Sequence, residues 1–454
     1  MEILSTIFYF IVTISVLVFV HEFGHFITAK YFGMRVEVFA IGMGTRLFGY
    51  NKISKFTFGK QDESIGLGDN TDYRISLLPI GGYVKVSGII DESFDKTHVD
   101  TPAKDFEYRA KPVWQRMIFV CGGVVANILL AIVIFWCINI YQGEQHRATT
   151  TIGFVLPESI GDKIGLQIGD KIISINDKSI SDFESIFSSI YSDFMGKDLS
   201  VSVERNGKIE ILNVLRKNIP DISEAPIGIL PLETEVVANM VIPNKPASKS
   251  GLKNGDIILL INSTPVKNQF EATKIIKQNP LIEIKFEVKR KNNLQTFLVT
   301  PGADSLVGIQ LESHYTGPIT KKDFGVFEAI PKSVSDVSNA TILFGKSIVE
   351  IFKGTVPVSK SIGGPVRIAQ FATRSAEIGL ISFLGFLALL SISLAVLNIL
   401  PIPAADGGHF VLLLYEAIVR KPIPVKIQMA IQQVGVTILI GLMILILYND
   451  VIGF

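Results

Sequence analysis

The chain has few cysteines and almost no net charge, and both shortages exclude classes of protein. Its 454 residues include two cysteines, Cys121 and Cys137, and both fall inside one apolar run. Two residues so far apart on one helix cannot meet, so a disulfide between them is excluded. We interpret them as packing or membrane-facing positions. The formal net charge of +1 gives no polyelectrolyte pattern, so no nucleic-acid partner is expected.

The first apolar run also lacks the marks of a removable signal peptide. It has Glu2 where a basic region would stand, and no small-residue cleavage pattern follows. It is one of four runs that are long and apolar enough to span a bilayer. The predicted spans are roughly 3–28, 113–141, 378–401 and 427–448. The sequence therefore predicts a polytopic α-helical membrane protein with four transmembrane helices.

Basic residues near the ends of the spans predict how the chain crosses the membrane. They stand after the first span, before the second, and between the third and fourth: Lys30, Arg35, Lys104, Arg109, Lys111, Arg420, Lys421 and Lys426. The loops 29–112 and 402–426 are therefore predicted to be cytoplasmic, with both termini and the block 142–377 on the opposite side. Spans one and three then run in the same direction, and their ends lie at similar depth.

The end of the first span carries an H-E-x-x-H motif, His21-Glu-Phe-Gly-His25. Residues four apart lie on one face of a helix, so His21 and His25 can bind one metal ion together. Glu22 projects to the side, where it can take a proton from water on that metal, as in zinc metalloproteases. Ionisable residues at membrane depth are costly and indicate a functional site. We predict a Zn²⁺ centre with Glu22 as the catalytic base.

Zinc needs a third protein ligand, and the chain has only six histidines. His98 lies in a charged loop, while His146 and His314 fall on the far side of the membrane. Asp406 stands at the end of the third span, where an aspartate needs a reason such as a metal. Asp406 is therefore the predicted third ligand of one Zn²⁺ ion, in preference to the neighbouring His409.

An internal repeat occupies the block between the second and third spans. The segment Gly165-Leu-Gln-Ile-Gly-Asp-Lys-Ile-Ile-Ser-Ile-Asn176 recurs, 86 residues later, as Gly251-Leu-Lys-Asn-Gly-Asp-Ile-Ile-Leu-Leu-Ile-Asn262. Each copy predicts a short helix, a glycine turn and a buried strand, followed by a second helix and alternating strands. The pattern resembles two α+β PDZ domains of the bacterial type, at 142–232 and 233–315. PDZ domains capture chain ends by strand addition, act as packing modules, or exclude bulky substrates, and the sequence leaves these roles open.

Apolar residues recur at helical spacing in 324–352, which predicts an amphipathic helix. It either lies on the outer membrane surface or packs on the second repeat. A glycine–proline segment at 362–369 follows it. We assign 316–377 to this helix and a gating segment, 1–141 to the first two spans with the zinc motif and a β-region, and 378–454 to the last two spans.

Taken together, these motifs resemble the site-2 protease family over nearly the whole chain. The resemblance rests on HEFGH, on four spans with two inserted repeats, and on the segment Asn398-x-x-Pro-x-Pro-x-x-Asp406-Gly-Gly. It implies zinc bound by His21, His25 and Asp406, with Glu22 catalytic. One departure is Ala405 in place of the family's usual leucine, which bears on packing beside the site rather than on the ligand.

Two further stretches agree with that family. Residues 36–44 and 73–86 are predicted to form strands with glycine turns. In the family such strands form a sheet that dips into the membrane near the metal, where strand addition would extend a helical substrate for attack. An ordinary cytoplasmic hairpin is the alternative. The predicted substrate-binding residues are Gly42, Gly44, Gly81, Gly82, Asn398, Pro401 and Pro403.

The resemblance also implies a substrate class and a location. It implies a metalloendopeptidase of the bacterial inner membrane, with periplasmic PDZ domains and an active site near the cytoplasmic side. Its substrates would be single-span proteins, such as anti-sigma factors and signal-peptide remnants, which receive their second, intramembrane cut there and so activate an envelope-stress sigma factor. A non-catalytic PDZ adaptor is disfavoured by the presence of Glu22. A metal transporter is disfavoured because one metal cluster is visible and no polar path crosses the other spans.

Overall fold

The computed structural model describes residues 2–60, 67–89, 102–194, 197–219, 226–242, 244–353, 363–403 and 405–452. The chain forms two compact units. One unit comprises residues 1–143 and 323–454, and the other comprises residues 144–322. We call them the membrane unit and the insert. Cys121 and Cys137 are free thiols, and His98 lies outside the described residues.

The helices include four that are long and apolar enough to cross a membrane, which confirms the predicted four spans. Within the described residues the α-helices are α1 Glu2–Tyr31, α2 Val113–Gln142, α3 Ile160–Ile164, α4 Phe183–Ser188, α5 Pro246–Ser250, α6 Gln269–Lys277, α7 Ala329–Lys353, α8 Pro365–Ile378, α9 Leu380–Ile399, α10 Asp406–Val419 and α11 Val425–Ile452. The spans are α1, α2, α9 and α11. The third is shorter than predicted because Gly379, at φ +147°, separates it from α8, and the helix ends before Pro401.

The strands form antiparallel sheets in both units. They are β1 Val36–Asn51, β2 Lys55–Phe58, β3 Asp72–Val86, β4 Glu144–Arg147, β5 Ile152–Val155, β6 Lys171–Ile175, β7 Lys178–Ser179, β8 Leu199–Arg205, β9 Lys208–Val214, β10 Ile229–Pro231, β11 Thr234–Val241, β12 Ile257–Ile261, β13 Thr264–Pro265, β14 Ile284–Arg290, β15 Asn293–Val299, β16 Ile309–Tyr315 and β17 Ile319–Lys322. Both predicted β-stretches near the metal motif are therefore strands.

The sheet of the membrane unit, in the order β2-β1-β3, is bent back on itself. Phe39 of β1 pairs with two residues of β3, Val84 and Tyr73. Both halves of β3 therefore run beside this part of β1. The bends fall at glycines with positive φ, among them Gly42 at +84° and Gly81 at +80°, a conformation that other residues adopt at a cost. Bending brings the second half of β3 back beside the first half of β1.

Aromatic rings hold this sheet against α1. The ring centroids of Phe39 and Phe26 lie 5.0 Å apart, and those of Phe39 and Phe19 lie 5.8 Å apart. Such tilted and edge-on pairs contribute about 0.5–1.5 kcal/mol each beyond area burial. The face of α1 that carries the H-E-x-x-H motif is thereby packed close to a strand.

Helices α1 and α2 pack through small residues. A side chain added at Gly24 would overlap the backbone carbonyl of Gly122, so the two helix backbones are in direct contact. Helix α2 also contacts α9, because the Ser391 hydroxyl donates to the carbonyl of Asn127 at 2.8 Å. The three helices that surround the motif are therefore closely packed around it.

Helix α7 covers most of the segment predicted to be an amphipathic helix, and it packs on transmembrane helices. Val337 is buried in one cluster with Ala131 of α2 and Leu387 of α9. The Asn139 amide of α2 donates to the Ser333 hydroxyl at 3.1 Å, which fixes the start of α7. Neither placement predicted for this helix, on the outer membrane surface or on the second repeat, included these packing partners.

The glycine–proline segment at 362–369 leads into α8, and its first residue lies outside the described part of the chain. The Gly364 N–H donates to Asp450 Oδ1 of α11 at 3.2 Å, and the Arg367 guanidinium lies 3.4 Å from the same oxygen. The fully buried Asp450 carboxylate thus anchors the amino-terminal end of α8 to the last transmembrane helix.

The two halves of the insert repeat the same local structure. Short helices α3 and α5 each end in a left-handed glycine, and each is followed by a strand. The repeated aspartates Asp170 and Asp256, both 1% exposed, accept hydrogen bonds from Arg205 and Arg290, respectively, at 2.7 and 2.6 Å. Each half has its own apolar core.

The insert begins and ends in one two-stranded ribbon. Strands β4 and β17 pair antiparallel, with Glu144 opposite Lys322 and Arg147 opposite Ile319. The points at which the chain enters and leaves the insert are therefore adjacent.

Candidate metal centre

Three side chains of the membrane unit bring one donor atom each to a common point. His21 Nε2 lies 3.3 Å from His25 Nε2 and 3.3 Å from Asp406 Oδ2, and His25 Nε2 lies 3.4 Å from the same oxygen. Ligand atoms about 2.0–2.1 Å from a tetrahedral zinc ion are separated by about 3.3–3.4 Å. The triangle of donors therefore has the size that such an ion requires.

The surroundings of the Asp406 carboxylate also favour a bound cation. Its Oδ2 is buried and accepts no well-aligned hydrogen bond from the described residues. A buried carboxylate oxygen without such a partner is costly unless a cation neutralises it. Two imidazoles and one carboxylate are a ligand set that zinc prefers.

Asp406 owes its position to a tight connection between α9 and α10. It occupies the first turn of α10, where the helix dipole favours a carboxylate. A side chain at Gly407 or Gly408 would overlap carbonyl groups of this connection. The Ala405 N–H donates to the Ile402 carbonyl at 3.1 Å, which closes the turn.

His25 is oriented by the backbone of α2. Its Nδ1 lies 2.9 Å from the Phe119 carbonyl oxygen, which can only accept a hydrogen bond. Nδ1 therefore carries the proton, and Nε2 keeps its lone pair for a metal. In metal sites a ligand histidine commonly donates its other ring N–H to a polar group such as a backbone carbonyl, which fixes the orientation of the ring.

His21 faces an asparagine that the sequence analysis missed. The Asn127 amide nitrogen lies 3.2 Å from His21 Nδ1, and Asn127 is fully buried in α2. An asparagine in the middle of an otherwise apolar span was a visible signal, because polar residues at membrane depth mark functional positions.

Gly123 is a second residue that the sequence analysis missed. A side chain there would overlap the His21 ring and lie 2.6 Å from His25 Nε2. Glycine therefore leaves the space that both imidazoles occupy.

Glu22 lies beside the bent sheet, outside the triangle of donors. Its carboxylate lies beside the backbone of Val84 in β3. A side chain added at Gly82 would lie 3.7 Å from Glu22 Cγ. The catalytic-base candidate and an edge of β3 are thus neighbours.

The other predicted site residues divide into two groups. The structure brings Asn398 close to the centre, since its amide nitrogen is 3.5 Å from His21 Nε2. Pro401 is exposed, and Pro403 packs on Gly435 of α11. The remaining predicted positions, Gly42, Gly44 and Gly81, lie at the sheet bends, and no described contact joins them to the donor triangle. His409, the rejected ligand, lies 3.1 Å from the Gln432 amide.

A second group of possible ligands occurs in the insert and has another explanation. His146, Asp182 and Glu184 approach one another within 4.8 Å. Glu184 forms an ion pair with Arg147 at 2.6 Å, and Asp182 caps α4 by accepting from the Ser185 N–H. These carboxylates already have partners, so we assign no metal to them.

Residues 9–442 match the description Peptidase family M50. The chain belongs to peptidase family M50, the site-2 protease family, and is a metalloendopeptidase. Its described residues include four helices that are long and apolar enough to cross a membrane. The predicted family and enzyme class are confirmed.

Curated relatives extend over almost the whole chain. A protein of Haemophilus influenzae named Regulator of sigma E protease is 29% identical, with 97% of each chain covered. Protease RseP of Yersinia pestis is 29% identical, with 99% of each chain covered. A Vibrio cholerae protein whose name contains the words zinc metalloprotease is 28% identical, again over 99% of each chain.

Proposed function

We propose that this chain is a zinc-dependent endopeptidase that cleaves its substrates within the membrane. In this proposal one Zn²⁺ ion is bound by His21, His25 and Asp406. The observation that carries it is the near-equilateral triangle of donor atoms, 3.3–3.4 Å on each side, formed by a transmembrane helix and the turn after another. The names of the relatives support the choice of zinc.

Glu22 acts as the general base in this mechanism. The bound zinc ion would polarise the scissile carbonyl and make water more acidic. The Glu22 carboxylate takes a proton from the attacking water and passes it to the nitrogen of the leaving amine. The Val84 backbone lies beside this carboxylate, and the Phe119 carbonyl keeps the His25 ring in place.

The sheet beside Glu22 presents the substrate. A helical transmembrane segment hides its amides in internal hydrogen bonds, so it must be extended before attack. Addition of the substrate as a strand along the sheet would do this. Gly81 and Gly82 belong to the part of β3 beside Glu22, where an added side chain would meet Met43 or the Ala40 carbonyl. Asn398, next to His21, is placed to donate a hydrogen bond to the substrate backbone, while Pro401 and Pro403 end α9 beside the site.

We further propose where the site works and what it cuts. The distribution of basic residues supports a cytoplasmic-side centre and an insert on the periplasmic face of the bacterial inner membrane. The relative named Regulator of sigma E protease supports single-span anti-sigma factors as substrates, which would receive their second cut here in regulated intramembrane proteolysis. Signal-peptide remnants are a further proposed class. The two halves of the insert are proposed to be PDZ domains that select substrates outside the membrane, on the support of their shared element order and separate cores.

The test is cleavage of a single-span substrate by the full chain in membranes. Glu22→Gln should abolish product formation, because the amide cannot accept the proton, while expression stays normal. Phenanthroline should stop the wild-type enzyme by removing the metal. Glu37→Gln is the matched control, since Glu37 lies on the same sheet and bonds Ser87, and it should cleave normally. Continued cleavage by Glu22→Gln would contradict the proposal.

The ligand set is tested separately, by metal content. Asp406→Ala should lose bound zinc, as measured by mass spectrometry of the purified protein, because two histidines alone hold the ion weakly. Full zinc stoichiometry in Asp406→Ala would show that this residue is not a ligand, whatever the effect on cleavage.

A further inference from the structure

A groove on the membrane unit lies apart from the metal centre. It has a volume of about 450 Å³ and is formed by the first turn of α2 and the last turn of α10. The residues that line it are Val113, Trp114, Met117, Glu416, Ala417 and Arg420. Its volume is within the range of small-molecule sites, about 300–1,000 Å³.

The walls of the groove are suited to a hydrocarbon chain. Val113, Met117 and Ala417 supply apolar surface at the end of a transmembrane helix. Trp114 is 56% exposed, and its ring packs edge-on against Phe32 at 5.4 Å. Tryptophan in this position is typical of the boundary between the bilayer core and the headgroups. At such a boundary one end of the groove would face lipid tails and the other would face headgroups.

The charge at the mouth of the groove is positive. Glu416 is neutralised by Arg116, which donates to its two carboxylate oxygens at 3.1 and 2.6 Å. Arg420 is exposed, and within the described residues its side chain forms no hydrogen bond or ion pair. Lys421 follows it directly. A guanidinium in this setting is a ready partner for a phosphate group.

We propose that this groove binds an anionic glycerophospholipid. The lipid phosphate pairs with Arg420, and one acyl chain lies against Val113, Met117 and Ala417. Basic pockets between transmembrane helices at the headgroup level bind anionic lipids by this chemistry. A zwitterionic lipid has the same phosphate, but its cationic headgroup meets the positive charge of Arg420 and Lys421, so the anionic class is preferred.

The bound lipid would join two helices that build the metal centre. Helix α2 carries Gly123 and Asn127 beside the histidines, and α10 begins at Asp406. Because the lipid touches both helices at the end far from these residues, it adds to the Arg116–Glu416 pair in holding α10 against α2. The binding step itself does not depend on the chain being a protease.

The test uses tryptophan fluorescence of the full chain in lipid nanodiscs. The chain has two tryptophans, so a Trp136→Phe background leaves Trp114 as the only emitter. Brominated phosphatidylglycerol should quench Trp114 more strongly than brominated phosphatidylcholine at equal content, because the bound lipid adds to the quenching by the surrounding lipid. Arg420→Gln should lower this preference about fivefold, the effect of one cation near the membrane surface.

Lys426→Gln is the matched control, because it removes an exposed cation that does not line the groove. It should keep the preference for phosphatidylglycerol. An equal loss in both variants would mean a general surface charge effect and would overturn the proposal. The proposal would also be wrong if Arg420→Gln kept the preference while an acidic peptide shielded Trp114 from quenching, since the groove would then take polypeptide.

Discussion

The Asn127 amide faces His21 Nδ1 at 3.2 Å, and the buried Asn127 Oδ1 has no hydrogen-bond partner within the described residues. If the amide nitrogen donates to Nδ1, the His21 proton stays on Nε2, and Nε2 cannot bind a metal. With the amide reversed, Oδ1 accepts from Nδ1–H and Nε2 is free. Metal binding should therefore select the reversed amide, which also satisfies the unpaired oxygen.

Asn127→Ala should weaken zinc binding about 10- to 100-fold, the usual effect of removing the second partner of a metal-binding histidine. Competition with a chromophoric chelator measures the affinity. Asn139→Ala on the same helix is the control, because Asn139 bonds Ser333 and Asp336 instead. Unchanged zinc affinity in Asn127→Ala would show that the amide does not fix the His21 tautomer.

Gly123→Ala should disturb the same centre by steric overlap. The added methyl group would lie 2.6 Å from His25 Nε2, and overpacking of this kind costs about 1–3 kcal/mol. We expect zinc affinity to fall about tenfold or more, with cleavage reduced in parallel. Gly441→Ala tests the effect of alanine on a helix, since no atom lies within 4 Å of its added methyl group. Equal zinc affinity in the two variants would contradict the assigned role of Gly123.

The two buried aspartates of the insert should act on separate halves. Asp170→Asn removes the charge that holds Arg205, and Asp256→Asn does the same for Arg290, at a cost of about 2 kcal/mol each. Hydrogen–deuterium exchange should show faster opening only in the half that carries the substitution, because the two cores are separate. Asp193→Asn, in an exposed pair with Lys178, should change exchange little. Opening of both halves in either variant would show that they unfold as one.

The cap of α4 should depend on pH. Burial raises the pKa of the Asp182 carboxyl, but hydrogen bonds from Ser181 and Ser185 outweigh it and hold the pKa below the ordinary value of aspartate. A carboxyl with a lowered pKa stabilises the fold above its unfolded pKa, about 3.9, and loses that effect as the pH falls further.

Asp182→Ala should therefore speed amide exchange in residues 183–188 at pH 7, by a loss of about 1 kcal/mol of cap stability. The difference from wild type should shrink below about pH 4. Asp177→Asn, a substitution outside the cap, is the control. A difference that stays constant from pH 7 to pH 3 would mean that the cap does not require the ionised carboxylate.

Local patterns were sufficient to select three residues that the structure brings together, but not the residues around them. His21 and His25 follow from helical spacing, and Asp406 from the rarity of carboxylates in apolar spans. Asn127 and Gly123 act only through α2, which approaches α1 at Gly24 and Gly122. No spacing rule links residues about a hundred positions apart, so their role depends on how the helices pack.

Helix ends and contacts between residues far apart in the sequence also could not be predicted from local patterns. The start of the third span depended on Gly379, which a hydropathy window averages over. The Arg116–Glu416 pair and the Asp450 anchor of α8 join residues far apart in the sequence. Each of these interactions involves a charged residue in or near an apolar helix. Such a residue predicts that a partner exists but does not identify the partner.

The ribbon of β4 and β17 determines how easily the domains of the insert can be gained, lost or exchanged. For the membrane unit, residues 144–322 amount to one very long loop whose two ends are already hydrogen-bonded together. The loss of chain entropy on closing a loop grows only slowly with its length. Repeats could therefore be duplicated, exchanged or removed beyond the ribbon while α2 and α7 keep their ends in place. We expect a graft of a different domain between Arg147 and Ile319 to leave the catalytic half able to fold.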